Sequence, residues 1–253
     1  MKFPKMLIGL VGLLAVGLSG EPTYAAQTNV AVAANFTEAA KEIAAAFKQK
    51  TGHEAILSFG ASGAFYTQIT QDAPFQIMLS ADTERPKKLV DGGLGVADSR
   101  FTYAIGKLVL WSRNPDLVKG EATLKNPTFA KLSICNPVAA PYGEAAVETM
   151  KSLKLYDALQ PKLVVGADIT QAFQFVDTGN ADLGFVAGSQ LIKREGSRWD
   201  VPQNLYNPIR QDAVLLKKGV GNEAATAFMQ FLKGPEAHAI IEKYGYAFDN
   251  SKS

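Results

Sequence analysis

Three short stretches of the chain carry residues suited to holding an anion: Ala34-Asn35-Phe36-Thr37, Ala61-Ser62-Gly63 and Asp168-Ile169-Thr170. Each follows a strand-like run and opens a helix-spaced pattern. A helix start leaves backbone N–H groups without acceptors and carries about half a positive charge. Such a turn can bind an anion with no cation present. Asn35 adds amide donors, Ser62 a hydroxyl, and Tyr142, in Ala140-Pro141-Tyr142-Gly143, a phenol from a distant part of the chain. Taken singly, these residues have plainer roles. Asn35 and Ser62 are ordinary N-caps, Tyr142 is an interface aromatic and Ile169 a core residue. Only convergence on one cleft makes them a site.

The same inventory is poor in catalytic groups. The only histidines are His53, in a Thr-Gly-His-Glu turn, and His238, on a helix-patterned stretch. Gly60-Ala61-Ser62-Gly63-Ala64 resembles a serine-hydrolase elbow but lacks its last glycine, and neither histidine suits the order of a base. There is no Gly-x-x-x-x-Gly-Lys phosphate loop, and Gly93-Leu94-Gly95 has neither the further glycine nor the preceding strand of a dinucleotide site. Neither His-x-x-x-His nor paired cysteines offer a metal cluster. Asp82 and Asp168 read as helix caps. No catalytic residue, free-cation ligand or cofactor is therefore expected, and a secreted hydrolase using Ser62 or a structural role are the competing readings.

The elements that must position these turns alternate. Val30 to Ala33 reads as a strand, and Phe36, Ala40, Ile43 and Phe47 then recur with helical spacing. Glu54 to Phe59 and Phe75 to Leu79 are further strands, the second followed by a helix started near Arg85-Pro86 and ended by Gly92-Gly93. Phe101 to Ser112 reads as one long strand, interrupted at Gly106, that crosses between two lobes. Leu132 to Cys135, Leu163 to Val165 and Leu183 to Val186 are strands of the second lobe. Helices are expected over Glu144 to Leu153 and through Ile169, Ala172, Phe173 and Val176. Ala213 to Leu216 returns to the first lobe, and Glu223 to Leu232 and Glu236 to Tyr244 close it. The pattern predicts an α/β, two-lobed fold, each lobe a mixed, mostly parallel sheet flanked by helices, with ligand beyond the carboxyl ends of the strands. The expected division is residues 1–26 as a leader, 27–104 plus 210–253 as lobe I, and 105–209 as lobe II.

The leader has a basic start, the apolar run Met6 to Leu18 and small residues before a cut after Ala25 or Ala26, which is the form of a signal peptide. Its apolar run is shorter than the about 20 residues a membrane span needs. Of 26 basic and 24 acidic residues, the leader holds Lys2, Lys5 and Glu21, so the remainder is close to neutral. That balance argues against a nucleic-acid partner. Cys135 is the only cysteine, so no disulfide can form within the chain.

Further residues carry a resemblance. In order along the chain stand Ala33-Ala34-Asn35-Phe36-Thr37, Ser58-Phe59-Gly60-Ala61-Ser62-Gly63, Leu79-Ser80-Ala81-Asp82 and the run from Arg100 to Trp111. Asn136-Pro137 with Ala140-Pro141-Tyr142-Gly143, Ala181-Asp182-Leu183-Gly184-Phe185-Val186, and Lys233-Gly234-Pro235 with Tyr244-Gly245-Tyr246 complete the set. The ordered set resembles the molybdate-binding periplasmic proteins of ABC transporters. The resemblance implies a monomeric, type II two-lobed receptor in the periplasm that closes on molybdate or tungstate with uncharged donors and delivers it to a membrane permease. It implies as ligands Asn35 with the backbone of Ala34 or Asn35, Ser62 by side chain and amide, Tyr142, and the N–H of Ile169. One branch of the family has serine, alanine and tyrosine where this chain has Asn35, Tyr142 and Ala187. This chain resembles another branch, which shares the asparagine and the Ala-Pro-Tyr-Gly tyrosine. Among other ligands, phosphate carries a proton near neutral pH that asks for a buried acceptor, and this set has no carboxylate. An amino-acid receptor would present an arginine, and none lies in these turns. Sulfate differs mainly in size and stays open.

Overall fold

The computed structural model describes residues 25 to 249. All but the last two residues of the expected leader lie outside that range. Strand β1 (Gln27–Ala33) runs through a 3-10 turn, Ala34–Phe36, into helix α1 (Thr37–Thr51). Strand β2 (Glu54–Gly60) leads into α2 (Ser62–Thr70), and β3 (Ile77–Leu79) precedes α3 (Glu84–Asp91). After β4 (Phe101–Gly106) and β5 (Leu108–Ser112) come α4 (Ala122–Lys125), β6 (Leu132–Cys135), α5 (Pro141–Ser152), α6 (Tyr156–Leu159) and β7 (Leu163–Gly166). Helix α7 (Ile169–Asp177), β8 (Leu183–Ala187), β9 (Ser197–Asp200), β10 (Ile209–Leu215), α8 (Glu223–Leu232) and α9 (Pro235–Lys243) complete the order.

These strands form two five-stranded sheets, β2-β1-β3-β10-β4 and β7-β6-β8-β5-β9. In the first, Val30 and Val32 of β1 enter one apolar cluster with Phe36, Ile43 and Phe47, while Ala31 enters another with Phe65 and Met78. A strand buried on both faces must be apolar at every position, which is why β1 reads as a run and not an alternation. In the second sheet Leu108 and Leu110 of β5 face one cluster, and Val109 and Trp111 face the other. The first of those clusters also contains Ala33, Ala34, Ala61 and Ala81 of the first sheet's turns. Small side chains there let the two lobes meet closely.

Two sequence expectations are corrected in detail. The single strand over Phe101 to Ser112 is two strands, one in each sheet, parted at Lys107. The chain does cross between lobes there, but changes sheet at Gly106. Each sheet is mixed and mostly parallel, as expected, with one strand running against the other four. Strand β10 pairs antiparallel with β3 and β4, and β5 with β8 and β9, because each arrives directly from the other lobe without a crossover helix. Helix α5 begins at Pro141, three residues before the expected start, so Tyr142 sits in its first turn. Strand β9, Ser-Arg-Trp-Asp, lies at an edge with a half-exposed pattern and so gave no apolar signal.

Gly143 permits α5 to seat its first turn against β6. A Cβ on Gly143 would lie 2.2 Å from the backbone oxygen of Cys135, an atom that cannot move without the strand. Gly143→Ala is therefore expected to lower unfolding free energy by about 1–3 kcal/mol, read as a lower urea midpoint at unchanged slope.

Candidate functional site

The turns at the ends of β1 and β2 face the start of α5 and the turn after β7 across the space between the lobes. There Ala34, Asn35, Ser62, Tyr142 and Ile169 line one cavity, together with Gly60, Ala61, Ala81, Ala140, Pro141 and Asp168. It holds about 200 Å³ of empty space, solvent at its mouth included. All five sequence-predicted residues are buried. Among the described residues no lysine, arginine or histidine lines it.

Each element presents hydrogen-bond donors for a local reason. Asp168 is the N-cap of α7 and accepts from Thr170 N–H at 2.9 Å and Gln171 N–H at 3.0 Å. The Ile169 N–H is left without an acceptor among the described residues. Ser62 does not cap α2; its Oγ accepts from the Ala81 N–H at 2.9 Å, which leaves the hydroxyl hydrogen to be given elsewhere. The Ser62 N–H also has no acceptor among the described residues. Both helices are nine residues long, so their N-terminal partial charges add to these donors.

Tyr142 is the most telling member. Its hydroxyl is buried and has no hydrogen-bond partner among the described residues. A buried hydroxyl without a partner costs about 1–3 kcal/mol, and that cost asks for an occupant. Gly106, where the chain crosses between lobes, makes its room: a Cβ there would stand 2.1 Å from the Tyr142 oxygen. Burial, with smaller contributions from Tyr246, Tyr103 and Tyr206, holds the Tyr142 phenol well above the usual tyrosine range. It therefore stays a neutral donor. The nearby thiol of Cys135 is pushed up to about 12, chiefly by burial, and is no nucleophile at neutral pH.

Asn35 does not cap a helix either. Its Nδ2 donates to Gln211 Oε1 at 2.6 Å and to the Tyr246 hydroxyl at 3.0 Å. Its backbone oxygen accepts from Tyr246 at 2.7 Å and from Ser189 Oγ at 2.9 Å. Sequence reasoning found Asn35 but not these partners, which come from β10, the chain end and the second lobe. Tyr246 lay within a quoted motif, yet nothing in a linear pattern ties it to a residue 211 positions away. The Ser189 bond joins the two lobes, as do Gly63 N–H to Ala139 O at 2.8 Å and Arg85 Nη2 to Val138 O at 2.8 Å. Arg85 is tied to Asp82 and lines a neighbouring cavity instead. Asp82 also accepts from the Arg85 N–H at 2.8 Å and stands one residue ahead of the N-cap position of α3.

Comparison with known proteins gives the family. A sequence model of one family, described as bacterial extracellular solute-binding protein, matches residues 28–247. The chain is similar to the molybdate-binding protein ModA of Rhodobacter capsulatus, 53% identical over 97% of this chain and 98% of that one. It is 54% identical to ModA of Azotobacter vinelandii over 94% of this chain and 96% of that one. Among solved structures, the Azotobacter vinelandii periplasmic molybdate-binding protein superposes with a TM-score of 0.86 at 41% identity, covering 88% of this chain and all of that one.

The buried phenols have a consequence for stability. The phenols of Tyr103, Tyr142 and Tyr246 are all held above the ordinary tyrosine value of 10.0, with burial as the largest cause. Above about pH 10 the unfolded chain loses these protons and the folded protein keeps them. The unfolded state then binds fewer protons, so stability falls as pH rises. Tm is expected to drop between pH 9.5 and 11, about the ordinary tyrosine range, with the 295 nm phenolate absorbance of these residues appearing only on unfolding.

Proposed function

The chain belongs to the bacterial extracellular solute-binding protein family, and on that premise we propose that it captures molybdate outside the cytoplasm and delivers it to the membrane permease of an ABC importer. Tungstate, of the same shape and charge, is a second ligand. The observation that carries this reading is the unpartnered Tyr142 hydroxyl, buried in a cation-free cavity beside the free N–H groups of Ser62 and Ile169. The relatives named above are molybdate-binding proteins.

A dianion leaves water only if its hydration shell is replaced donor for donor. Neutral donors can do this. The Ser62 hydroxyl and amide and the Asn35 turn serve from lobe I, and the Tyr142 hydroxyl and Ile169 amide from lobe II. A lysine or arginine in contact would add a charge-assisted bond of roughly twice the strength and slow release to the permease. The ligand also bridges the lobes, so the closed shape reports loading. The protein works as a monomer in the periplasm, without a cofactor and without catalysis.

Two measurements test this reading. Ser62→Ala and Tyr142→Phe should each weaken molybdate binding by about 1–3 kcal/mol for one buried hydrogen bond lost; unchanged calorimetric affinity in both removes them from the site. In a thermal-shift screen, molybdate and tungstate should raise Tm while sulfate and phosphate at equal concentration do little. A ligand at 100 times its Kd contributes about 2.7 kcal/mol. Sulfate stabilisation equal to that of molybdate would make this a general oxyanion receptor.

A further inference from the structure

The polar surroundings of Asn35 are unbalanced, and the imbalance points to a second layer of the site. Asn35 Nδ2 gives its hydrogens to Gln211 Oε1 and Tyr246. Gln211 Nε2 is buried with no acceptor within hydrogen-bond distance among the described residues, and Gln211 itself is fully buried in β10. Asn35 Oδ1 has no donor among the described residues, yet it is not among the sealed unpartnered atoms. The spaces that Asn35 lines both lie between the lobes. One of those spaces is the cavity described above, and a carbonyl oxygen turned toward it would meet an incoming oxyanion. An acceptor in that position repels an anion, and a buried amide donor with nothing to hold is costly.

One rearrangement removes both faults. A carboxamide has oxygen and nitrogen of nearly equal size, so turning it over by half a rotation changes its hydrogen bonding without needing new space. If the Asn35 and Gln211 amides turn together, Gln211 Nε2 donates to Asn35 Oδ1, while the Tyr246 hydroxyl keeps its hydrogen on the Asn35 backbone oxygen. Asn35 Nδ2 then points between the lobes as a free donor. We propose that Gln211 is a positioning residue for the oxyanion site: its amide bonds the Asn35 amide and holds it in the donor-outward orientation. This rests on the anion-capture reading above. Gln211 acts only through Asn35 and does not touch the ligand.

A double-mutant cycle read by calorimetry with sodium molybdate tests it. Gln211→Met keeps the length and removes both polar atoms, and Asn35→Ser keeps a short donor but leaves no amide to orient. Gln211→Met alone should weaken molybdate binding about tenfold. In the Asn35→Ser background the same change should cost less than about twofold, because the coupled partner is gone. Equal losses in both backgrounds, or no loss in the first, would overturn the proposal and leave the capture function standing. Wild-type protein giving no molybdate heat would overturn the capture function and this proposal with it. Ligand-free melting curves establish that each variant folds. Should Gln211→Met not fold, Gln211→Leu takes its place in the cycle, since it removes the same two polar atoms with a more compact side chain, with the same expected pattern and the same overturning result.

Discussion

Removing a doubly charged ion from water requires another set of hydrogens to take the place of its hydration shell, and the rest of the structure follows from that need. Backbone N–H groups at helix starts are the least expensive source, because they are unpaired wherever a helix begins. Strands β1, β2 and β7 each end in such a start, with one turn or none between. Since β1 and β2 run parallel in one sheet, their following turns emerge at the same edge. Strands β6 and β7 do the same in the other sheet, with α5 and α7 following. Packing the two sheets through the small residues Ala33, Ala34, Ala61 and Ala81 brings those edges face to face. The fold thus gathers free backbone donors at one place, and side chains add to them.

Few direct bonds hold the lobes together. Gly63 to Ala139, Arg85 to Val138, and Ser189 to Asn35 span the gap, and all lie close to the cavity or at its rim. The covalent links are the short passages from β4 to β5 and from β9 to β10. An arrangement with two connecting passages and a handful of polar contacts lets a bound ligand weigh heavily in the balance between open and closed forms. A ligand touched from both sides stabilises closure by its own binding energy. Gly106 connects these themes, for it lies at a crossing passage and also makes room for the Tyr142 hydroxyl.

Much of this was legible in the residues. Helical spacing of Ala40, Ile43 and Phe47 identified α1, and all three are fully buried. The turns holding Asn35, Ser62 and Ile169 could be located because each joins a strand pattern to a helix pattern. What the sequence hid is of three kinds. Sheet membership within Phe101 to Ser112 depends on partners far along the chain, which periodicity cannot express. The edge strand Ser197–Asp200 pays little for exposed polar residues and so leaves no apolar trace. The partners of Asn35 are Gln211, Tyr246 and Ser189, and a local reading that expected asparagine and serine to cap their own helices had no means of finding that they bind across the fold. Asp168, whose capping is local, was read correctly.

A crystal structure of the protein grown with molybdate would examine the neutral-donor site most directly. The expected result is the oxyanion in the cavity between the lobes. Its oxygens should lie about 2.7–3.2 Å from donors of Asn35, Ser62, Tyr142 and Ile169, with no lysine or arginine in contact. An oxyanion held instead by the guanidinium of Arg85, or lodged in a cavity these residues do not line, would contradict it.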